Sequence, residues 1–304
     1  MTESVLGAYM DEELSSQPQV WAQAQAQSRE EELLPAKGQK IAVIGCGTSW
    51  FMAQSYATAR EAAGHGVTDA FAASESFLAH NSPERGYDAV IAITRSGTTT
   101  EVLDVLTQLK GKVRTIALIG DINSPIVELA DVVIGLPYAD ERSVVQTRFA
   151  TTALVYLLSS LGESFDLAIE QAKTAVSEPV DQELLDAEQF TFLGRGWTVG
   201  LAHEAGLKMR EAVQGWTESY PAMEYRHGPI SIAAPNRVTW LFGEEPEGLS
   251  GDVAKTGARY INSGLHPLAD LARVHRVTLE RARVRGLNPD LPRNLTRSVI
   301  LDEA

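Results

Sequence analysis

The 304-residue chain has a single cysteine, Cys46, so no disulfide can form within it, and nothing in the composition calls for an oxidising compartment. No uncharged apolar run approaches the roughly 18 residues that a membrane-spanning helix needs. Positive charge is scarce: 26 Lys and Arg against 40 Asp and Glu leave a net charge of −14. That balance argues against a nucleic-acid partner, whose binding rests on many Lys and Arg contacts to phosphates. A single phosphate monoester remains compatible, because it needs only a local cluster of donors. No G-x-x-x-x-G-K-[ST] loop occurs, and Trp50 stands where a dinucleotide fingerprint needs its third glycine. A G-x-S-x-G nucleophile elbow is also missing, and no Cys, His and Asp residues have metal-ligand spacing. Neither a metal nor another cofactor is implied. The N-terminus, MTESVLGAYMDEELSS, lacks a basic segment followed by an apolar core, so the expected location is cytoplasmic.

What the chain does have is a repeat. Ile41–Glu75 and Phe192–His227 each open on an apolar strand and a G-x-G turn, Gly45/Gly47 and Gly194/Gly196. Each continues as a helix carrying Arg-Glu-Ala toward its end, Arg60–Ala62 and Arg210–Ala212. Self-similarity at about half the chain length predicts two related α/β units.

Residues 1–36 read as one or two helices, with Pro18 opening the second. Apolar runs at Ile41–Gly45, Ala89–Thr94, Thr115–Gly120 and Asp131–Leu136 read as buried parallel strands, with Gly66–Ala72 a weaker fifth. Helical segments fall between them, which predicts a doubly wound sheet with ligands at the carboxyl ends of the strands. An apolar helix is expected at Thr151–Leu161, then a linker containing a helix over 162–188. The second unit has strands at Phe190–Gly194, Gly215–Tyr220 and Arg237–Gly243, with weak ones near 258–262 and 276–279. A basic stretch, Arg276–Gly286, reads as a solvated helix face.

Two strand ends carry hydroxyl-rich turns. In Thr94–Thr100, five of seven residues are Ser or Thr, directly before a helix. One would suffice as a cap; five suit a phosphate met by helix N–H groups and hydroxyls together. The turn Gly45–Ser49 is a weaker signal, compatible with a tight turn alone. On the helix after Gly196, Glu204, Lys208 and Glu211 share one face at i, i+4 and i+7. Ion pairing on a solvated surface gives the same spacing; so does a catalytic row. Glu224 and His227-Gly228-Pro229 follow in the next loop. Sugar-phosphate isomerisation needs a ring-opening proton carrier, a C1/C2 base and a phosphate anchor, for which His227, Glu211 and the Thr94–Thr100 turn are candidates.

In order, GCGTSW, TRSGTTTE, ERSVVQTR, GRGWTVGLAHEAGLKMREA, ESYPAMEYRHGP and PRNLTRSV resemble the motifs of the sugar isomerase (SIS) family. The pattern is similar to the isomerase half of glucosamine-6-phosphate synthase, and it extends over nearly the whole chain from residue 10. The resemblance implies two tandem flavodoxin-like SIS domains at 37–175 and 176–304, after a helical segment at 1–36. It also implies a homodimer with a sugar 6-phosphate site between the domains. Cys46, Gly47, Thr48 and Ser49, with Thr94, Arg95, Ser96 and Thr99, would hold the phosphate and nearby hydroxyls. Glu211 would be the C1/C2 base with Lys208 beside it, and His227 would open the ring from the neighbouring subunit. Val145 and the Thr296–Arg297 loop would line the sugar.

Three departures shape the expectation. The family's glutaminase domain and its residue-2 cysteine are not in this sequence, so a glutamine-dependent synthase is not expected. Arg95 replaces glutamine, and Arg297 replaces the lysine of PRNLAKSV. Arginine cannot form the imine that lysine forms. The expected activity is conversion of glucosamine 6-phosphate to fructose 6-phosphate and ammonia. The alternatives are elimination of the C3 oxygen from N-acetylglucosamine 6-phosphate, a fructosamine-6-phosphate deglycase, and a non-catalytic sugar-phosphate sensor.

Overall fold

The N-terminal stretch folds as one helix. A computed structural model describes residues 5–75 and 85–301, and α1 runs unbroken over Ala8–Glu30 with Pro18 inside it. Proline there lacks the N–H that would bond the Leu14 carbonyl, so the sequence pattern reads as a boundary. Anchors on both sides hold the helix continuous. Before Pro18, the amides of Tyr9 and Met10 donate to the Asp290 carboxylate at 3.0 and 2.9 Å, and Glu13 accepts from the Ser143 hydroxyl at 2.5 Å. After it, Trp21 Nε1 donates to Thr151 Oγ1 at 3.0 Å and Ser28 Oγ to the Tyr156 carbonyl at 2.6 Å.

Two compact units divide the chain. One holds Met1–Pro18, Arg142–Thr147 and Asp166–Leu295; the other holds Gln19–Glu141, Arg148–Phe165 and Thr296–Ala304. The second of these contains a five-stranded parallel sheet of β1 (Ile41–Gly45), β2 (Thr68–Ala72), β3 (Ala89–Thr94), β4 (Arg114–Ile119) and β5 (Val132–Gly135). Its order is β2-β1-β3-β4-β5. β1 and β3 are buried at every position, as central strands covered on both faces require. Helices α2 (Thr48–Ala62), α3 (Thr100–Leu109) and α4 (Arg148–Ser159) accompany the sheet. α3 buries Val102, Val105, Leu106 and Leu109, the spacing of a one-sided apolar stripe. Because β1 and β3 pair in parallel register, with Ile44 opposite Ala92, the turns that follow them leave the same edge of the sheet.

The other unit contains a four-stranded parallel sheet, ordered β7-β6-β8-β9. Its elements are α5 (Asp166–Ala175), α6 (Gln182–Asp186), β6 (Gln189–Gly194), α7 (Thr198–Val213), β7 (Trp216–Pro221), β8 (Arg237–Phe242), α8 (Leu249–Thr256), β9 (Arg259–Ile261) and α9 (Pro267–Val284). The strand order repeats the first four strands of the larger sheet.

The repeat extends to atoms. A Cβ on Gly45 would lie 2.7 Å from the Ser49 backbone, and one on Gly194 would lie 2.2 Å from the Thr198 carbonyl oxygen. Both glycines therefore let a helix start directly against a strand end. Gly47 and Gly196 follow with φ of +53° and +57°. At the far end of each helix the arginine of Arg-Glu-Ala donates Nη1 to a threonine of the next strand, Arg60 to Thr68 and Arg210 to Thr217, each at 2.8 Å.

Two expectations for the tail are corrected. The segment 276–279 is helical, inside α9, because Leu268, Leu271, Ala272, Val274, Leu279 and Ala282 form a buried helical stripe. The basic stretch is not a solvated face. Arg281 is buried and donates to the carbonyls of Leu184, Leu185 and Ala187, while Arg276 and Arg283 each reach Asp11 at 2.7 Å.

Candidate active site

In the five-stranded unit the hydroxyl-rich turns are ordered and largely enclosed. Thr48 and Ser49 open α2 behind Gly47 and are buried, while Cys46 is half-buried. Burial pushes the Cys46 thiol up, and the nearby Glu101 charge adds to the shift; the group is a neutral thiol rather than a nucleophile. After β3, Thr94, Arg95 and Ser96 are buried. The Gly97 amide donates to Thr94 Oγ1 and the Thr98 amide to Ser96 Oγ, both at 3.3 Å. Gly97 has φ +61°, and a Cβ there would fall 1.9 Å from Ser124 Oγ. Thr99 sits at the N-cap of α3 without a side-chain cap bond.

The C-terminal segment lies on this turn. Thr98 Oγ1 donates to Ser298 Oγ at 2.9 Å, the Thr100 amide donates to the Val299 carbonyl at 3.2 Å, and the Leu301 amide donates to Thr100 Oγ1 at 2.9 Å. Arg297 is held firmly: its Nη2 is 2.5 Å from Asp140 Oδ1, its Nε donates to the Glu141 carbonyl at 3.2 Å, and its own carbonyl accepts from Arg95 Nη2 at 2.7 Å. Asp121 stands 4.0 Å from its Nη1. The guanidinium thus latches the tail to two carboxylates. The side chains are over one-third exposed, so the Arg297–Asp140 pair contributes under about 1 kcal/mol to global stability. Its effect is local. Arg297→Ala is expected to speed hydrogen exchange of the Thr100 amide about tenfold or more while the thermal midpoint hardly moves. Unchanged exchange at that amide would show that the latch does not hold the tail.

In the four-stranded unit, α7 carries the row of ionisable groups. Its spacing fits either a solvated face or a buried site; the structure makes it buried. Lys208 Nζ is 2.5 Å from Glu211 Oε2 and 3.7 Å from Glu204 Oε1, with side-chain exposures of 1% for Lys208, 0% for Glu204 and 20% for Glu211. Only Glu211 reaches the surface. Its counterpart in the repeat does different work: Glu61 accepts the Thr68 amide at 2.8 Å and so caps β2, whereas Glu211 receives the Lys208 ammonium. His227 is exposed at the end of the 3-10 turn Ala222–His227, and Glu224 on the same turn is also exposed. Val145 is fully buried, its amide donating to the Pro289 carbonyl at 3.4 Å.

Sequence reasoning missed Asp140 and Asp121, the partners of Arg297, and Ser298, the partner of Thr98. It also missed His275 on α9. This ring is fully buried with Nε2 3.9 Å from Glu204 Oε1. Its position on the apolar stripe of α9 was the available signal.

Burial, with Lys208's charge adding, holds the His275 imidazole down at about 3, and burial holds His266 at about 4. Both rings are neutral in the fold and take a proton near 6.5 when unfolded. Their stabilisation is therefore complete above pH 6.5 and is lost as pH falls. Asp270, lifted to about 6 by burial, acts oppositely: its neutral form favours the fold at low pH, a contribution lost as pH rises from 4 through 6. The histidine contributions amount to roughly 3 kcal/mol each by pH 4. Stability from urea midpoints is expected to fall between pH 6.5 and 4.5, and His275→Leu to flatten that fall; an equally steep fall in the variant would contradict the assignment.

Among the described residues, no helix is long and apolar enough to cross a membrane, and no group of three or more His, Cys, Asp or Glu is placed to hold a metal ion.

A repeated parallel α/β architecture, with a hydroxyl-rich turn at one strand end and a carboxylate–ammonium row on a helix after another, defines the class. Residues 33–161 match the family model described as SIS domain, so this part of the chain is an SIS domain. The glutamine–fructose-6-phosphate aminotransferase (isomerizing) of Sulfurisphaera tokodaii is 27% identical over 300 residues, covering 87% of this chain and 50% of that protein. That of Sulfolobus acidocaldarius is also 27% identical, covering 86% and 50%. The chain thus spans about half the length of these relatives. Among solved structures, glucosamine-6-phosphate deaminase from Thermotoga maritima superposes with a TM-score of 0.80 at 22% identity, over 97% of this chain and 100% of that one. Tagatose-6-phosphate ketose/aldose isomerase from Escherichia coli gives 0.78 at 16%, over 98% and 97%. These two likenesses establish the fold.

Proposed function

We propose that the protein is an SIS-family enzyme that isomerises and deaminates an amino-sugar 6-phosphate, converting glucosamine 6-phosphate and water to fructose 6-phosphate and ammonia. The observation that carries this reading is the placement of Glu211. It is freed from the capping duty of its twin Glu61, paired with a buried lysine, and is the one member of its row with solvent access. In this reading the domains are residues 37–175 and 176–304. The turns at Cys46–Ser49 and Thr94–Thr99 take the phosphate through hydroxyls and helix N–H groups, and Arg95 adds a cation.

The chemistry follows from what each group can do. His227, delivered by a second copy of the chain, opens the ring by moving a proton between O5 and O1. Glu211 then removes the C2 proton and returns a proton to C1. The C2–nitrogen bond is left as an iminium, which water hydrolyses to the C2 ketone with release of ammonia. Lys208 stays protonated between its two carboxylates and steadies the charge that develops on O1.

Arg297 favours a second reading. With no lysine at that position to form an imine, the same Glu211 could remove the C2 proton of N-acetylglucosamine 6-phosphate while the C3 oxygen leaves, giving an unsaturated sugar phosphate. Incubation with each sugar separates the two. Ammonia from glucosamine 6-phosphate is the expected result. A new ultraviolet-absorbing product from the N-acetyl sugar, with no ammonia from the other, would transfer the assignment to elimination. Binding of both without turnover would make the protein a sensor.

A further inference from the structure

A cavity of about 480 Å³ opens at the amino-terminal edge of the five-stranded sheet, and all of its lining belongs to that one unit. β1 runs away from it, from the Lys37 loop to the turn at Cys46, so the cavity and the hydroxyl-rich turns lie at opposite edges. The loop after α1 supplies Glu31, Glu32 and Lys37; α2 supplies Tyr56; His65 follows the end of α2; and α4 ends at the wall with Ser159. The Gly38 amide donates to the His65 carbonyl at 2.9 Å, which ties the Lys37 loop to the end of α2. The volume is in the range of small-molecule sites.

The lining carries charge of both signs, and each sign has its own field. Arg60 is buried and donates to the carbonyls of Ala36, Gln39 and Gly66 at 3.1, 3.1 and 3.3 Å. Burial, then the Lys37 and Arg60 charges, hold the His65 imidazole below its usual value, so the ring is neutral in a positive field. Glu31 accepts from Tyr156 Oη at 3.0 Å and from Gln27 Nε2 at 3.2 Å, and Glu32 beside it in sequence is exposed. Burial, then the Glu31 hydrogen bond and charge, push the Tyr156 phenol up, the mark of a negative field. Arg29, in the last turn of α1, is the second cation of the lining. Two cations and two carboxylates leave it without net charge.

The backbone and the hydroxyls narrow the ligand further. α1 and α4 both end at the cavity, presenting the negative ends of their dipoles. No helix begins among the lining residues, so the N–H groups that receive a phosphate dianion are lacking there. Ser159 is buried, and its hydroxyl has no hydrogen-bond partner among the described residues; such a group calls for a reason. A simple anion or cation would satisfy one field and oppose the other, and an uncharged polyol would use neither. We propose that this cavity binds a compact zwitterion, a free α-amino acid, with its carboxylate toward Lys37 and the His65 N–H and its ammonium toward Glu31, Glu32 and the end of α1. Leu34, Pro35 and Leu161 of the lining are left for its side chain.

The site is separate from the Glu211 row and from the phosphate turns, so its test needs no sugar phosphate and does not depend on the assigned reaction. Calorimetry with glycine, L-serine, L-leucine and L-glutamine is the first step, and at least one is expected to bind saturably with a Kd of about a millimolar or tighter. Its N-acetyl and methyl-ester derivatives, each lacking one of the two charges, are expected to bind about tenfold more weakly or worse. Lys37→Gln and Glu32→Gln replace exposed side chains, and each is expected to weaken the parent amino acid about three- to tenfold with the thermal midpoint unchanged. Titration followed by ¹H–¹⁵N NMR should move the amides of Lys37, His65 and Gly162. Lack of saturable binding by all four amino acids would overturn the proposal. So would binding that neither substitution weakens, or shifts confined to amides outside the cavity. Inorganic phosphate is the remaining probe: if it moves the same amides and binds more tightly than any amino acid, the cavity is an anion site and the proposal fails.

Discussion

Glu211→Gln is expected to lower turnover of the amino-sugar phosphate about a thousandfold while leaving its affinity within about threefold. The amide fits the carboxylate's space and accepts the Lys208 hydrogen bond through its oxygen, but it cannot take a proton from carbon. General acid–base groups contribute on the order of 10² to 10⁴ in rate, and removal of the sole carbon base belongs toward the upper part of that range. In the proposed reading affinity rests on the Thr94–Thr99 and Cys46–Ser49 turns, and the hydrogen bonds that shape the Thr94–Thr98 turn do not involve Glu211. Turnover by single-substrate kinetics and affinity by calorimetry, on the same preparation, separate the two effects. Near-normal turnover would remove Glu211 from the role of base. A parallel loss of affinity would mean that it binds the sugar instead.

Lys208→Met has the second large effect, on folding as well as rate. The substitution keeps the length of the buried stem but removes the ammonium 3.7 Å from Glu204, a carboxylate with no solvent exposure. Deleting one partner of a buried pair costs up to about 3–5 kcal/mol, because the other charge stays buried with one partner fewer. The midpoint of urea unfolding should drop accordingly. Adding Glu204→Leu to the same chain should recover most of the loss, since that buried carboxylate is then gone. Recovery would assign the cost to the buried Glu204 carboxylate. A double variant as unstable as Lys208→Met alone would assign it to lost packing.

The strands and their turns were legible because they rest on local pattern. β1, β3 and β4 are continuous apolar runs, and a parallel sheet buried on both faces permits little else. Gly45 and Gly194 mark strand ends where a side chain has no room. The α7 row was legible as a face but not as a buried one, since i, i+4 spacing carries no information about what packs against it. α9 shows the limit from the other side. Its β-branched Val277 and Thr278 suggest a short strand, and its arginines suggest solvent, until the stripe from Leu268 to Ala282 is followed over its full length. The arginines are then satisfied by Asp11 and by backbone carbonyls of 184, 185 and 187. Those partners are distant in sequence and leave no local mark. The same holds for Asp140 and Arg297, separated by 157 positions: each reads as an ordinary surface charge until the chain returns. Pro18 was misplaced as a boundary because the anchors that hold α1 continuous lie on residues 143, 151, 156 and 290.

The central claim is that Glu211 removes the C2 proton of an amino-sugar 6-phosphate. Glucosamine 6-phosphate labelled with deuterium at C2 tests it most directly, with the label followed by NMR during incubation with the wild-type protein and with Glu211→Gln. The account predicts that the wild type moves deuterium from C2 to C1 or to solvent, together with ammonia release, and that the variant leaves C2 fully labelled. Ammonia release with deuterium still at C2, or label loss that persists in Glu211→Gln, would contradict it.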